Sequence, residues 1–324
     1  MTVLRVFTAA LAIAVLATSA SMAGAQNWPT RPVTVVSPFT AGNASDLIGR
    51  ITLEQVAKQV GQPFVIENRP GAGGTVGVNQ VAKADPDGHT ILMHSSSFSA
   101  ALVLHKSLPY DTLQDFAPVI PIGIQPVVLI VSPSKGFKTV GDLVAAAKAN
   151  PGAMNFASAG IGSTSHMGAE RFRHAAGFKA QHIPFRGPAE AFAEVMTGRI
   201  DFYFLPLAPA LSLVKQGKVV ALAVGAEKRS IDLPDVPTMA EAGLPDAAYH
   251  FWGGIFVPAK TPPEVITKLH NETAKALEVP EVRERLAKTA TEPMPMSTAQ
   301  FTKYFQDDVA STVKLAKDVG IEAN

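Results

Sequence analysis

The chain has no cysteine. Disulfides, thiolate zinc sites, cysteine nucleophiles and lipid attachment through a cysteine are therefore excluded. It has no surplus of charge either: 28 Lys and Arg stand against 27 Asp and Glu in 324 residues. A broad phosphate-binding face needs a basic excess, so nucleic acid is not an expected partner. Beyond the N-terminal stretch the apolar runs are short, as at Val127–Val131 and Val219–Val224. A bilayer-spanning helix needs ~20 residues, so none of them suffices. What the chain does have is a 47% apolar and 17% charged composition, that of a globular protein, and enough length for two cored domains.

Residues 1–25 read as an export signal. Arg5 precedes an apolar run from Val6 to Ala17, and Ala23-Gly24-Ala25 matches the A-x-A cleavage pattern. Cleavage is expected between Ala25 and Gln26. A lone arginine does not make a twin-arginine signal. The expected product is soluble, periplasmic and evenly balanced in charge.

The remaining chain alternates short β-rich runs with amphipathic helical stretches, the pattern of α/β layers. Strands are expected at Val33–Ser37, Phe64–Glu67 and Thr90–His94. A helix carries Leu47, Ile48, Ile51, Val56 and Val60 on one stripe, and Gly61 stops it. A second series begins near Val127–Val131. Its helices are expected near Val140–Ala149, Thr164–Ala176, Ala189–Thr197 and Leu207–Gln216, with strands at Met154–Ala157, Ala180–Ile183, Ile200–Phe204 and Val219–Val224. Helices follow from Pro262 to the C-terminus. The expected organisation is a first lobe (26–125), a second (126–250) and a return to the first (251–324). Crossings fall near Ile122–Pro126 and Tyr249–Gly253. A cleft between two such lobes is where a small ligand would sit.

Two strand-to-helix loops share a physical design. Phe39, Thr40, Ala41, Gly42, Asn43, Ser45 and Asp46 form the first; Ala159, Gly160, Gly162, Ser163, Thr164 and His166 form the second. Small side chains admit a ligand to the backbone, and a helix start offers free N–H groups with partial positive charge. Facing each other, two such loops suit a carboxylate. The competing reading makes Ser45, Ser163 and Thr164 ordinary N-caps.

Other motifs add less. Gly71-Ala72-Gly73-Gly74-Thr75-Val76 fails the dinucleotide template, because Val76 stands at its third glycine, and reads as a tight turn. No G-x-S-x-G occurs, and His166 lies one turn along the helix from Ser163, which suits a helix-start bond better than a nucleophile–base pair. The eight histidines show no metal-ligand spacing, and neither a metal nor a cofactor is expected. His94, ahead of Ser95 and Ser96, is the one histidine kept as a cleft candidate, against the commoner reading of a satisfied core or surface histidine. Arg186 is placed to clamp a carboxylate or to be a solvated arginine. Most phenylalanines are core, but Phe39, Phe98, Phe185, Phe204, Phe251 and Trp252, at strand ends or crossings, favour a ligand with an apolar or aromatic body if several lie near one cleft.

Several segments together carry a likeness: Trp28-Pro29-Thr30-Arg31-Pro32-Val33, Pro38–Asp46, Glu67-Asn68-Arg69-Pro70-Gly71-Ala72-Gly73-Gly74, Asp85-Pro86-Asp87-Gly88, Pro184-Phe185-Arg186-Gly187 and Leu233-Pro234-Asp235-Val236-Pro237. The chain resembles the extracytoplasmic solute-binding proteins of tripartite tricarboxylate transporters, the Bug or TctC-like family, over essentially its whole mature length. That resemblance implies a type II, Venus-flytrap periplasmic-binding-protein fold, non-catalytic and monomeric, which delivers a small carboxylate to membrane permease subunits. It places the grip on Thr40–Asp46 and Ala159–Thr164. Three departures from the family pattern stand out: Asn43 after Gly42, Met93-His94-Ser95-Ser96-Ser97 after the third strand, and Phe204-Leu205-Pro206. They point to a mono- or dicarboxylate with an apolar or aromatic body rather than citrate. Two other classes remain, a periplasmic carboxylate sensor and an exported hydrolase using Ser163 and His166.

Overall fold

The computed structural model describes residues 28–320. The expected export signal and its cut lie outside them. Among the described residues no helix is long and apolar enough to cross a membrane.

Strand β1 (Val33–Ser37) is a β-branched run whose Val33, Val35 and Val36 are fully buried. It lies between β2 (Phe64–Asn68) and β3 (Thr90–Ser95), parallel to both. Parallel neighbours need crossovers, which α1 (Ala44–Val60) and α2 (Thr75–Ala82) supply. Asn43 caps α1 through its side chain and Gly61, at φ 71°, ends it. A short helix α3 (Ser97–Leu104) then leads to the long strand β4 (Phe116–Val131).

The next series is α4 (Val140–Ala149), β5 (Asn155–Ser158), α5 (Thr164–Ala176), β6 (Gln181–Pro184), α6 (Pro188–Met196), β7 (Phe202–Pro206), α7 (Leu207–Lys215) and β8 (Val220–Val224). The chain returns through β9 (His250–Pro258), α8 (Pro263–Glu278), α9 (Pro280–Ala287), the short β10 (Glu292–Pro293) and α10 (Thr298–Val319).

Strand order builds two lobes from one hydrogen-bonded path, β2-β1-β3-β9-β4-β7-β5-β6. From Phe116 to Pro126, β4 pairs antiparallel with β9 in the first sheet. From Val127 onward it pairs with β7 and β8 in the second. Register shifts flank Pro118 and Pro121, which lack the N–H a regular ladder requires. Sequence patterning placed a strand only at Val127–Val131; it extends back to Phe116 through three prolines. Helix α3 was not expected either.

The first sheet is covered on one side by α10. Its Phe301, Phe305 and Val309, four residues apart, are buried against Trp252, Phe256 and Phe98. Glycines at the centre of β9 allow helices to press close: a Cβ on Gly253 would fall 2.4 Å from Ile48, and one on Gly254 would fall 2.5 Å from the Phe301 ring. The second lobe packs Val128, Ile130, Phe192, Tyr203 and Leu205 into its own cluster.

Candidate ligand-binding cleft

The ends of β1 and β5 deliver the chain to two helix starts that open onto one cavity. At the first, Asn43 Oδ1 accepts from the Asp46 N–H (3.2 Å), and the Leu47 N–H reaches the Asn43 carbonyl (3.0 Å). The amides of Ala44 and Ser45 are left without an acceptor among the described residues. At the second, Ser163 Oγ accepts from the His166 N–H (3.3 Å) and the Met167 N–H reaches the Ser163 carbonyl (3.1 Å). Here the amides of Thr164 and Ser165 are the unspent pair. All four residues line the cavity. Ser163 is thus an N-cap, whereas Ser45 and Thr164 sit inside their helices.

The first loop owes its shape to Asp46, which is buried and points away from the cavity. Its carboxylate accepts from the Gly42 N–H (3.0 Å), from Arg50 Nε and Nη2 (3.1 and 2.9 Å) and from Asn68 (3.1 Å). Burial alone would raise its pKa, but these bonds outweigh it and hold the group below the usual carboxylate range. The negative charge next to the helix start is thereby matched by Arg50. Asn43 Nδ2 donates to the Thr40 carbonyl (2.6 Å), so both ends of that carboxamide serve the loop itself.

Around the helix starts the walls are apolar: Phe39 and Phe251 from the first lobe, Tyr203, Leu205, Pro206 and Pro209 from the second. Ser95 and Ser97 add hydroxyls, linked at 2.8 Å. Arg186 lines the rim and is exposed; its N–H donates to Glu190 (3.2 Å), and its guanidinium pairs with no carboxylate among the described residues.

Of the residues singled out from sequence, Phe39, Thr40, Asn43, Ser45, Ser95, Ala159, Ser163, Thr164, Arg186 and Phe251 line this cavity. The others stand back from it. Ala41 and Gly42 are at the exposed tip of the first loop. His94 is buried behind Phe39, whose ring meets it edge-on at 5.7 Å, and it stacks on Phe98 at 4.6 Å. Burial drives its imidazole down to about 3, so it is neutral, and its Nδ1 accepts from the Ser95 N–H. Ser96 reaches Thr164 instead of the cavity. Gly160, Gly162 and His166 shape the second loop from beneath. Phe185 belongs to the second-lobe core and Phe204 stacks on Phe172. Ala44, Ser97 and Gly187, which the sequence motifs contained, line it too, and so do Ser165, Pro188, Tyr203 and Pro209, which sequence reasoning did not single out.

The hydrolase geometry is missing at Ser163 and His166. Ser163 Oγ donates to the Gly160 carbonyl (2.7 Å), and His166 Nδ1 accepts from the Gly162 N–H (3.3 Å). Neither side chain is bonded to the other, so no base is aimed at the hydroxyl.

The lobes meet around the cavity. Ser96 Oγ and Thr164 Oγ1 are 3.0 Å apart. A Cβ on Gly187 would fall 2.6 Å from Thr40 Oγ1, and one on Gly73 (φ 66°) would fall 3.0 Å from the Ile161 carbonyl oxygen. The glycine-rich segment therefore serves close approach between lobes, not a nucleotide.

Residues 48–321 match the sequence profile of the tripartite tricarboxylate transporter family receptor. The chain belongs to that family. Among relatives, BugT of Bordetella pertussis (strain Tohama I) is 31% identical over 93% of each chain. A protein from the tcbD-tcbE intergenic region of Pseudomonas sp. (strain P51) is 33% identical over 98% of this chain and 94% of its own. Solved structures are similar too. An R. palustris protein with adipate superposes with a TM-score of 0.87 at 31% identity, covering 92% of this chain and all of that one. MatC from Rhodopseudomonas palustris with bound malate gives 0.84 at 31% identity, covering 89% and 99%. The periplasmic binding protein BugD gives 0.86 at 31%, covering 92% and 100%. The chain is thus a two-lobed solute receptor of a periplasmic transport family, not an enzyme.

Proposed function

We propose that this receptor captures a carboxylate with a hydrocarbon or aromatic body in the cleft and presents it, closed, to the membrane permease subunits of a tripartite transporter. The observation that carries the reading is the pair of helix starts, each with two unspent amides, opening onto one cavity. A carboxylate between them accepts hydrogen bonds from Ala44, Ser45, Thr164 and Ser165. Each helix start contributes about 0.3–1 kcal/mol to anion binding, and up to ~2 where buried. Phe39, Tyr203, Leu205, Pro206 and Phe251 surround the body of the ligand, and Arg186 meets a second carboxylate at the rim. Adipate, bound in one similar structure, is a ligand of this class, and malate, bound in another, shares its two carboxylates.

In this reading the lobes comprise residues 26–125 with 251–324, and 126–250. Closure bends β4 near Pro126 and the β9 side near Tyr249, where the two strands pass between sheets. The receptor acts in the periplasm as a monomer after cleavage between Ala25 and Gln26.

Calorimetric titration tests it with adipate, benzoate, malate, citrate and the uncharged diamide of adipate. Adipate or benzoate is expected to bind and the diamide to fail, with Arg186→Ala weakening adipate more than hexanoate. Equal binding of the diamide, or binding of citrate and malate only, would overturn the reading.

A further inference from the structure

Beneath the second-lobe loop lie two stacked histidines with no place in the cavity wall. His166, on α5, and His182, on β6, have ring centroids 4.0 Å apart at 11°. Phe156 lies parallel to both rings, 4.9 Å from His182 and 6.3 Å from His166, and Phe202 packs on Phe156 at 5.5 Å. Phenylalanine would fill such a ring cluster as well, so packing alone does not account for imidazoles. One nitrogen of each ring is turned to the loop. Gly162 N–H donates to His166 Nδ1, and His182 Nε2 shares a 2.6 Å hydrogen bond with Ser158 Oγ. Ser158, fully buried, in turn accepts from the Gly160 N–H (3.1 Å) and donates to the Gly160 carbonyl (3.0 Å). Gly160 and Gly162 have φ values of 119° and 79°, a backbone conformation that glycine adopts readily and other residues rarely do.

We propose that His166 and His182 are positioning residues for the second half of the ligand grip, holding the Ser158–Ser163 loop so that the Thr164 and Ser165 amides face the cleft. The proposal rests on the carboxylate reading above. It requires His166 to be neutral, with Nδ1 an acceptor and the proton on Nε2. That nitrogen faces Glu170 Oε1 at 3.9 Å. A second proton would set N–H against N–H at Gly162 and free the loop. The charged and titratable groups around the ring are Glu170 and Arg173 on its own helix, which pair with each other, and His182 from β6. Burial first, then the His182 and Arg173 charges, push His166 down to about 3; burial and Arg173 bring His182 to about 4. The fixing therefore persists through mildly acidic conditions.

The test compares His166→Asn, whose side-chain oxygen replaces the Nδ1 acceptor, with His166→Phe, which keeps only the stack. Adipate is the probe, read by calorimetry, alongside hydrogen exchange of the Gly162 amide and the side-chain nitrogen resonances of His166 in the wild-type protein. Losing the bond in His166→Phe is expected to weaken adipate by about three- to tenfold and to speed Gly162 exchange, while His166→Asn retains both. In wild type, Nδ1 is expected to be unprotonated at pH 6. Unchanged adipate affinity and Gly162 exchange in His166→Phe, or a protonated Nδ1, would overturn the proposal. If no carboxylate binds wild type, the carboxylate reading fails, and the Nδ1 state with Gly162 exchange still decides the positioning role. If His166→Phe does not fold, His166→Asn and the wild-type resonance decide it.

Discussion

Ser96 Oγ and Thr164 Oγ1 make a 3.0 Å hydrogen bond that joins the turn after first-lobe strand β3 to the first residue of a second-lobe helix. Such a bond exists only while the lobes are together, so its energy belongs to closure. Ser96→Ala and Thr164→Val are each expected to weaken adipate by about two- to tenfold, mainly through faster dissociation. The double variant should lose no more than the larger single effect. Stopped-flow dissociation of the four proteins measures this; additive losses would show that the two hydroxyls act separately.

Gly187 offers a second handle on closure. Its backbone is extended (φ −177°, ψ 177°), so a side chain introduces no local strain. The added atoms would instead meet Thr40 Oγ1 across the cleft. Gly187→Val should leave the unfolding midpoint of the free protein unchanged and lower adipate affinity by about five- to a hundredfold. Small-angle scattering should show no ligand-induced compaction. Full compaction on adding adipate would contradict the contact, and Thr40→Ala in the same chain should restore part of the affinity.

Asp308, on the last helix, is half-buried beside the buried Ser99, whose hydroxyl donates to it. Burial pushes its carboxyl up to about 6, with the Ser99 bond offsetting part of the cost. The folded state then holds a proton that the unfolded chain releases near pH 4. Stability is fully present below that pH and falls as pH rises toward 6. Asp308→Asn keeps an acceptor for Ser99 and removes the penalty. It is expected to stabilise the protein by about 1–3 kcal/mol at pH 7.5 and not at all near pH 4. Urea unfolding at the two pH values checks this; a difference independent of pH would contradict it.

How much of this was legible beforehand depended on whether a residue advertised its environment. Loops rich in serine, threonine and glycine between a strand and a helix mark a helix start with open amides, and both loops were readable on that basis. The stripe Leu47, Ile48, Ile51, Val56 and Val60 gave α1 for the same kind of reason. Helix α3 was hidden because Ser97–Leu104 is buried on almost every side, which leaves no amphipathic period to detect. The front half of β4 was hidden by Pro118, Pro121 and Pro126, which normally argue against a strand. Tyr203, Leu205 and Pro209 look like core residues in any sequence; only the turn from β7 into α7 brings them to the cavity wall. His94 shows the reverse error. A histidine at a strand end suggests a ligand contact, yet its ring is stacked on Phe98 and backs Phe39.

The central claim is that both helix starts hold one carboxylate through their free amides. Amide proton and nitrogen shifts of the receptor titrated with adipate test it most directly. The account predicts downfield movement of the Ala44, Ser45, Thr164 and Ser165 amide protons together, with one dissociation constant. Shifts confined to one lobe, or adipate binding that leaves all four amides unmoved, would contradict it.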